Sequence, residues 1–266
     1  MRFAVVYSKK DLGGVNIVER FREMGFLPQV PIIELSKETI YSDNLNEKNY
    51  PVLKSVDFVV FASKHQSSKG EKSLCLHAPG NFKIAEFGGK TGKVCLTSAY
   101  VMKYLFKELE KNARECGLDE EYNVTLEVTH HGPLIDLPCC FIEVGSGEDA
   151  WNDKDAGKVI AKTILSLQDF DKKDYDWVPC IGVGGPHYAP NFNKIQLGDK
   201  YAISHIISGY NLPMSSMMLQ EAEVKTLEQV KEVLVDWKGC GRSLDREKVI
   251  EVVEGVGLKV RRTGGV

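Results

Sequence analysis

The chain has 266 residues, of which 43% are hydrophobic and 27% are charged, and its formal net charge at pH 7 is −3. This composition is typical of a globular protein with a large buried core, and it excludes a protein that is basic overall. No segment approaches the roughly 18 apolar residues of a membrane span, and the apolar run at the start is too short for a signal peptide. Any contact with nucleic acid would therefore depend on a local basic patch.

Short apolar strands alternate with helical patterns in the first part of the chain. Strands are predicted over residues 3–7, 56–62, 94–96, 124–128 and 139–144. Helices are predicted over residues 16–24 and 98–116, each followed by a glycine that can end it. The polar segment 36–51 is predicted to be a surface insertion.

The same alternation continues in the second part. A helix is predicted from the capping-box-like Ser146–Asp149 to about Leu167. Further strands are predicted over 178–183, 201–208 and, at a sheet edge, 259–263, and further helices over 226–237 and 244–256. This order predicts one α/β domain over residues 1–266, with a central, mainly parallel or mixed sheet flanked by helices.

The seven cysteines form no Cys-x-x-Cys pair, and their number is odd. Most of them lie in apolar runs, as in Cys139–Ile142. We interpret them as reduced core residues of a cytoplasmic protein rather than as a disulfide framework.

The six histidines are the most informative side chains. Five of them lie at or just beyond the end of an apolar run: His65, His77, His130, His131 and His187. Ligands bind beyond the carboxyl ends of strands in open α/β sheets, so these five are predicted to converge on one rim. His205 lies inside an apolar strand, and its position leaves a core role and a rim role equally open.

The adjacent pair His130–His131 raises a geometric question. Successive side chains of a strand point to opposite faces, so both imidazoles can enter one pocket only if the backbone turns there. The following Gly132–Pro133 is predicted to supply that turn.

A carboxylate accompanies the histidines. Glu143 lies within the apolar strand 139–144, where a carboxylate is costly unless it is paired or bound to a metal. Several imidazoles and a carboxylate suit zinc, although no standard ligand spacing such as His-Glu-x-x-His is present. A metal-free site with histidine as general base is the alternative. Glu127 has polar neighbours, and we interpret it as a carboxylate that faces water.

Glycine-rich and basic segments complete the candidate site. The turn Gly182–Gly185 ends a strand and is predicted to line the site, with backbone N–H groups near a phosphate or an oxyanion. It lacks the Gly-x-Gly-x-x-Gly spacing of a dinucleotide-binding turn. Two basic groups would bind phosphate only if they surround the site. They are Lys64, Lys69 and Lys72 around His65, and Lys259, Arg261 and Arg262 at the tail.

Taken in order, five strings resemble the archaeal and plant type of D-aminoacyl-tRNA deacylase. They are Ser63–Ser67, Leu76–Asn81, Val128–Pro133, Phe141–Ser146 with Trp151, and Gly184–Pro190. The match runs from about residue 1 to at least residue 210, and it departs at Pro186, where we expect glycine. The resemblance implies an α/β fold akin to phosphorylases and peptidyl-tRNA hydrolases. It also implies a zinc-dependent hydrolase that frees D-amino acids from tRNA.

The resemblance and the histidine pattern together define three groups of candidate residues. The catalytic candidates are His130, His131, Glu143 and His187. The zinc-ligand candidates are His65, His77, His130, His187 and Glu143, and neither the number of ions nor the division between ligands and acid/base groups is decided. The substrate-binding candidates are Lys64, Asn81, Gly184, Gly185 and Tyr188. We expect a monomer that acts on tRNA carrying a D-amino acid, without a membrane.

Two other functions remain open. A zinc carboxypeptidase-like or amidase-like enzyme would act on small acyl substrates and would lack Lys and Arg around the mouth of its site. A non-catalytic tRNA-binding module would bind RNA in a salt-dependent way, with no metal and no hydrolysis. The net charge and the histidine cluster disfavour the second alternative.

Overall fold

The computed structural model describes residues 1–25 and 30–265 of the protein. Its strands are β1 (Phe3–Ser8), β2 (Ile32–Leu35), β3 (Phe58–Lys64), β4 (Ser73–His77), β5 (Gly80–Asn81), β6 (Lys93–Val94), β7 (Asn123–Leu126), β8 (Cys139–Gly145), β9 (Val178–Val183), β10 (Tyr201–Ile207), β11 (Glu232–Val235) and β12 (Lys259–Arg262). Its α-helices are α1 (Leu12–Glu23), α2 (Ala99–Glu115), α3 (Glu148–Trp151), α4 (Lys154–Leu165), α5 (Pro190–Leu197), α6 (Ser216–Val224) and α7 (Ser243–Gly255).

Two larger sheets contain most of the strands, and β5 and β6 form a separate antiparallel pair. The first has the strand order β2-β1-β3-β8-β4-β7, in which β4 runs antiparallel to β8 and every other pair is parallel. The second has the order β10-β9-β11-β12 and is wholly parallel. The predicted α/β fold with a mainly parallel, mixed sheet flanked by helices is therefore confirmed, and a second sheet accompanies it.

The first sheet is covered on both faces. One face packs on α1, α2 and α4, as shown by Val60 in the largest cluster of buried apolar residues. The other face carries Phe61 and Phe141, which pack against Leu45 and Leu53 from the segment before β3. Each fully buried side chain of this size contributes about 1.5–3 kcal/mol relative to exposure, so both layers stabilise the sheet.

The start of α1 is tied to the end of β3. Asp11 caps α1, and its Oδ1 accepts a hydrogen bond from the Gly14 N–H at 2.9 Å. Its other oxygen accepts from the Ser63 hydroxyl at 2.7 Å and from the Lys64 N–H at 3.0 Å. The cap therefore also positions the backbone directly before His65.

One predicted helix is a strand in the structure. Residues 226–237 were expected to be helical from the spacing of their apolar side chains, but 232–235 form β11. This strand lies between β9 and β12, and Val233, Leu234 and Val235 are fully buried. A parallel strand buried on both faces has a continuous apolar run, which a short helix segment can mimic. Helices α5 and α6, by contrast, were not predicted.

The helix predicted to run to Leu167 is interrupted. Asp153 accepts hydrogen bonds from the N–H groups of Asp155 and Ala156 and thereby begins α4 as a separate helix after α3. The predicted edge strand at the tail is confirmed as β12. Within segment 36–51, Leu45 is buried in the core rather than exposed.

Two other observations concern the chain as a whole. All seven cysteines are free thiols, and six are buried, whereas Cys116 is exposed. Within residues 1–25 and 30–265, none of the helices combines the length and the apolar character needed to cross a membrane.

Candidate metal centre and active site

Three neighbouring strands of the first sheet present polar side chains on one face. Ser63 in β3 and Cys75 in β4 are both register partners of Glu143 in β8, so their side chains point to the same side of the sheet. His65 and His77 lie two residues further along β3 and β4 and therefore face that side too. The candidate site thus lies on the sheet face opposite α1, α2 and α4.

The five histidines converge as predicted, but not on one rim of the sheet. Strand β4 is antiparallel to β8, whereas β3 is parallel to it. His77, at the end of β4, is therefore the register partner of Phe141, near the middle of β8. The His77 imidazole stacks on the Phe141 ring, with the two centroids 5.3 Å apart. The imidazoles therefore meet over the face of the sheet rather than beyond its carboxyl ends.

The segment after β7 joins the two sheets. The Val128 N–H donates to the His187 carbonyl at 3.0 Å, and the Ala189 N–H donates to the Leu126 carbonyl at 3.0 Å. The Thr129 N–H donates to the carbonyl of Ile206 in β10 at 2.9 Å. This pairing places Glu127 and the residues that follow β9 against the same face of the first sheet.

Glu127 occupies the centre of the cluster. Its Oε1 lies 3.0 Å from Nδ1 of His65 and 3.3 Å from Nε2 of His187. Its Oε2 lies 3.8 Å from Nε2 of His77 and 3.9 Å from Nε2 of His130. The Glu127 side chain is fully buried, so the interpretation of a carboxylate that faces water is wrong.

Glu143 supplies a second buried carboxylate. Its Oε2 lies 3.7 Å from Nδ1 of His65 and 3.8 Å from Nε2 of His77. Its side chain is 3% exposed. Two buried carboxylates therefore lie among four imidazoles, of which those of His65 and His77 are buried as well.

The backbone turns at His131, which allows both neighbouring imidazoles to enter the site. His131 has a φ of 41°, in the left-handed region that few side chains adopt. The centroids of the His130 and His131 rings lie 4.2 Å and 4.8 Å from that of His77. A turn was predicted at Gly132–Pro133, and it begins one residue earlier.

Backbone carbonyls set the tautomers of this pair. Nδ1 of His130 lies 2.8 Å from the Val128 carbonyl, and Nδ1 of His131 lies 2.6 Å from the Gly132 carbonyl. A carbonyl only accepts, so each Nδ1 carries the proton and each Nε2 keeps a lone pair. Such rings are ready to bind a cation or to accept a proton.

The electrostatics divide the cluster. Burial would raise the pKa of both carboxyls, but the His187 and His65 rings hold the pKa of Glu127 well below its usual value. The His65 and His77 rings likewise hold the pKa of Glu143 at about 2. Burial lowers the pKa of His131 to about 4, with the His77 ring adding to the effect. The carboxylates are therefore ionised, whereas His131 is neutral.

The same forces separate His65 from His130. Burial lowers the pKa of His65, but Glu127 and Glu143 outweigh it and raise the pKa to about 11. Burial and the His77 and His131 rings lower the pKa of His130 well below its usual value. The His65 imidazole, which lies beside the carboxylates, is therefore protonated, whereas the imidazoles of His130 and His131 are neutral.

The donor set fits a divalent metal ion. Three overlapping groups of donor atoms lie within 4.8 Å of one another: His77 with His130 and His131; His65 with Glu127 and His187; and His77 with Glu127 and Glu143. Buried carboxylates need compensating positive charge. In addition, Nε2 of His77 and both oxygens of Glu127 are buried without a hydrogen-bond partner. Nitrogen and oxygen donors of this kind are those that zinc prefers.

Two of the substrate-binding candidates lie beside His65. The Tyr188 hydroxyl is 2.9 Å from Nε2 of His65. The Trp151 indole donates to the His65 carbonyl at 2.9 Å, and the Lys64 ammonium lies 4.9 Å from the centroid of the Trp151 ring. Tyr188 therefore reaches the cluster directly, whereas Lys64 reaches it through Trp151.

The backbone amides of Gly184 and Gly185 already have partners within the protein. The Gly184 N–H donates to the Ile207 carbonyl at 2.8 Å, and the Gly185 N–H donates to the Gly239 carbonyl at 3.1 Å. Both amides are thus occupied by carbonyls of the second sheet and its turns. These two N–H groups are therefore not free for a phosphate or an oxyanion. The turn instead connects β9 to His187 and is held by these two hydrogen bonds.

The cluster has two openings. One is a cavity of about 250 Å³ lined by His130, His131 and Asn81, with the apolar Phe82 and Phe87 on its walls. The other is a cavity of about 530 Å³ lined by His65, His187 and Tyr188 and by polar residues that include Lys69. Asn81 therefore lies at the first opening and Tyr188 at the second.

Sequence reasoning missed the role of one central residue and left another open. Glu127 is a carboxylate in an apolar stretch, and this signal, which singled out Glu143, also identifies it. His205 is a core residue, fully buried, with Nδ1 3.2 Å from the Thr129 hydroxyl and Nε2 3.2 Å from the Lys225 carbonyl. It therefore stands outside the cluster.

Comparison with known proteins shows which family this chain is similar to. A sequence model of the family described as D-aminoacyl-tRNA deacylase matches residues 52–261. The D-aminoacyl-tRNA deacylase of Methanocaldococcus jannaschii is 36% identical over 269 residues, which cover 98% of this chain and all of that protein. The D-aminoacyl-tRNA deacylase of Pyrococcus furiosus is 35% identical, covering 96% of this chain and 97% of that protein. A crystal structure described as a conserved protein of unknown function superposes with a TM-score of 0.87 at 28% identity, covering 100% of this chain and 96% of that one.

Proposed function

This chain belongs to the D-aminoacyl-tRNA deacylase family, and on that premise we propose that it hydrolyses the ester of D-aminoacyl-tRNA with the help of zinc. The products are a free D-amino acid and tRNA. The observation that carries the proposal is the convergence of Glu127, Glu143 and the histidines in one cluster, in which buried donor atoms of His77 and Glu127 lack hydrogen-bond partners.

We propose that the zinc ligands come from His65, His77, His130 and Glu143, with Glu127 added, because buried donor atoms of His77 and Glu127 lack hydrogen-bond partners. His187, the remaining ligand candidate, is kept for proton transfer. A divalent cation would replace the protons that otherwise balance the two carboxylates. Zinc supplies, when bound, a Lewis acid that polarises an ester carbonyl and acidifies water.

His187 is the best placed residue to move a proton. Its side chain is 39% exposed, against 22% for His130 and 6% for His65. Glu127 lies 3.3 Å from its Nε2 and orients the ring, which leaves Nδ1 for exchange. As water adds to the carbonyl, this nitrogen takes a proton, and it returns the proton to the ribose oxygen when the C–O bond breaks.

The remaining candidates orient and balance the site. His130 and His131 keep lone pairs on Nε2 because their Nδ1 atoms are bonded to carbonyls. Glu143 holds positive charge on the His65 and His77 side, and Tyr188 fixes the His65 ring through its hydroxyl. These contacts keep the reacting groups aligned and leave little room for bulk water.

The two openings suit the two halves of the substrate. The smaller, apolar cavity beside His130 and His131 suits an amino acid side chain, and its shape would select the D form. The larger opening is polar and includes Lys69, which suits the ribose and phosphates of the RNA. A lysine at this mouth also favours the deacylase over an amidase-like enzyme.

The free cysteines support action in the cytoplasm, where we propose that the enzyme works as a monomer.

The proposal is tested by combining metal analysis with hydrolysis assays. Metal-free protein should release no D-amino acid from D-aminoacyl-tRNA, and added zinc should restore hydrolysis, with L-aminoacyl-tRNA left intact. His130→Ala and His187→Ala should abolish activity with folding retained, whereas His205→Gln, which lies outside the cluster, should keep it.

Three results would count against the proposal. Full activity in the metal-free protein would show that hydrolysis does not need zinc. Wild-type rates in both alanine variants would remove the site. Turnover of peptides or acyl amino acids, without any action on D-aminoacyl-tRNA, would favour the amidase-like alternative.

A further inference from the structure

A further cavity, of about 1050 Å³, lies on the side of α5 away from the histidine cluster. We call it the basic groove. It is lined by one side of α5, by residues 198–201 before and at the start of β10, by residues 236–238 after β11, and by residues 261–264 at the tail. The tail cations singled out in the sequence, Arg261 and Arg262, therefore lie here and not around the histidines.

Positive charge dominates the basic groove. Its lining contains five cations and two carboxylates, namely Lys194, Lys200, Lys238, Arg261 and Arg262 with Asp199 and Asp236. Arg261 is paired with Glu232 at 2.9 Å, and Asp199 is paired with Lys107 at 3.3 Å. Asp236 is buried and accepts a hydrogen bond from the Gly239 N–H.

The other four cations have no such partner. Within the part of the chain that the structure describes, Lys194, Lys200, Lys238 and Arg262 form no ion pair with a carboxylate. All four residues are exposed. Because the whole chain carries a net charge of −3, this surface is a local exception that can attract a polyanion.

An aromatic ring holds one of these cations in place. The guanidinium carbon of Arg262 lies 3.6 Å from the centroid of the Trp237 ring, and that of Arg246 lies 5.4 Å from it. A guanidinium stacked on indole loses little freedom when it binds, and its N–H edge can still bind phosphate oxygens. Arg262 is thus organised in advance for an anionic ligand.

Helix α5 lies between the basic groove and the approach to the cluster. Pro190 and Asn193 of α5 line the opening at His187, whereas Asn191, Lys194 and Ile195 line the groove. A helix with its side chains is roughly 10–12 Å across, so the two cavities are separated by about that distance. One strand of RNA could therefore occupy both.

We propose that the basic groove binds the sugar–phosphate backbone of the tRNA body while the ester reaches the histidine cluster past α5. This inference rests on the proposed function for the choice of RNA. Four unpaired cations spread along a groove match a phosphate backbone, since most protein contacts to nucleic acids go to phosphate and sugar. The groove adds affinity for tRNA and takes no part in breaking the ester.

The test is the double charge reversal Lys200→Glu/Lys238→Glu in the full chain. Its affinity for uncharged tRNA should fall roughly tenfold or more, and the slope of log K against log salt should lose about two units. The ratio of kcat/KM for D-aminoacyl-tRNA to that for a D-aminoacyl ester of adenosine, which lacks the tRNA body, should fall by the same factor. Arg262→Gln should weaken tRNA binding in the same direction and by less.

The matched control is Lys54→Glu/Lys158→Glu. Both lysines are exposed outside the basic groove, and the change in net charge is the same. This variant should keep tRNA affinity within about twofold, because screening weakens the effect of charges that lie beyond the Debye length.

Because uncharged tRNA is the probe, the result does not depend on catalysis. Equal loss of affinity in both double variants would overturn the inference, as would wild-type affinity in the groove variant. Loss of binding to polyglutamate with unchanged tRNA binding would also overturn it, in favour of an acidic protein partner. If the wild type binds tRNA through the groove but hydrolyses nothing, the proposed function fails and the inference stands.

Discussion

Oε1 of Glu127 lies 3.0 Å from Nδ1 of His65, and neither side chain is more than 6% exposed. Glu127 follows β7 and His65 follows β3, two strands separated in the first sheet by β8 and β4. The contact therefore depends on the position of segment 126–129. Backbone hydrogen bonds to Ile206 of the second sheet and to residues 187–189 hold this segment against the first sheet. A charge buried this deeply determines the charge state of its neighbours.

Glu127→Gln keeps the shape of the side chain and removes that charge. Zinc affinity and D-aminoacyl-tRNA hydrolysis should each fall about 10–100-fold, as for other losses of groups that organise a metal site. Metal titration and single-turnover assays measure the two effects. The matched control is Glu228→Gln, another buried carboxylate, which accepts from the Ser98 hydroxyl and the Ala99 N–H at the start of α2. It should lose stability but keep zinc affinity, and equal zinc affinity in both variants would contradict the assignment.

The close approach of Gly145 to His65 leads to a second prediction. A Cβ at position 145 would lie 2.6 Å from Cβ and 2.8 Å from the carbonyl oxygen of His65, which is closer than atoms can pack. Gly145→Ala should therefore displace His65 and lower kcat/KM by up to roughly 100-fold. It should also destabilise the fold by about 1–3 kcal/mol, as overpacking does.

Gly255→Ala is the control for this substitution. A Cβ at position 255 meets no atom within 4 Å, and the residue lies at the end of α7. Stability should stay the same or rise by up to about 1 kcal/mol, since alanine favours helix more than glycine does. A kinetic profile of Gly145→Ala identical to that of the wild type would show that His65 tolerates the shift.

His205 should make stability depend on pH. Burial lowers the pKa of its ring to about 4, below the value of about 6.5 in the unfolded chain. The folded state thus keeps the ring neutral, and the unfolded state binds the proton first as the pH falls. Its contribution is complete above about pH 6.5, and roughly 3 kcal/mol is lost as the pH falls to about 4.

Urea unfolding of the wild type and of His205→Gln at several pH values from 7.5 to 4.5 isolates this contribution. Other histidines titrate in both proteins, so the difference between the two curves is the informative quantity. The wild type should lose more stability than the variant over this range. Two parallel curves would mean that the ring carries a proton in the folded protein or is solvated.

Lys103 joins α2 to the end of α5. It is fully buried, and its ammonium group donates to the Gln196 carbonyl at 2.6 Å and to the Gly198 carbonyl. Lys103→Met fills similar space but leaves both carbonyls unpaired, so unfolding free energy should fall by about 1–3 kcal/mol. A thermal melt should show this as a drop of about 2–4 °C per kcal/mol.

Lys107→Met, one helical turn further along α2, is the matched control. Lys107 forms only a surface pair with Asp199, and the expected change is within about 1 kcal/mol. Similar melting temperatures for the two variants would show that the α5 carbonyls find water instead of Lys103.

Local patterns in the sequence predicted most of the strands and helices and the identity of most of the site. Strand β9 was predicted with its bounds, because its apolar run is flanked by turn residues. Strand β11 was not predicted, because a run of three apolar residues shows no periodicity and fits a buried strand and a helix equally well. Glu143 was found because a carboxylate in an apolar strand is costly, and Glu127 was set aside because its sequence neighbours are polar.

The amino-acid sequence alone was thus sufficient for the α/β class, the family and the pool of histidines, since periodicity and motif strings are properties of neighbouring residues. Tertiary structure decided that β4 runs antiparallel to β8, that Glu127 is the centre of the cluster, and that the amides of Gly184 and Gly185 are already occupied. It also placed Arg261 and Arg262 in a groove beyond α5 rather than around the histidines. Strand order and the contacts between two sheets depend on residues far apart in the chain, so no local pattern encodes them.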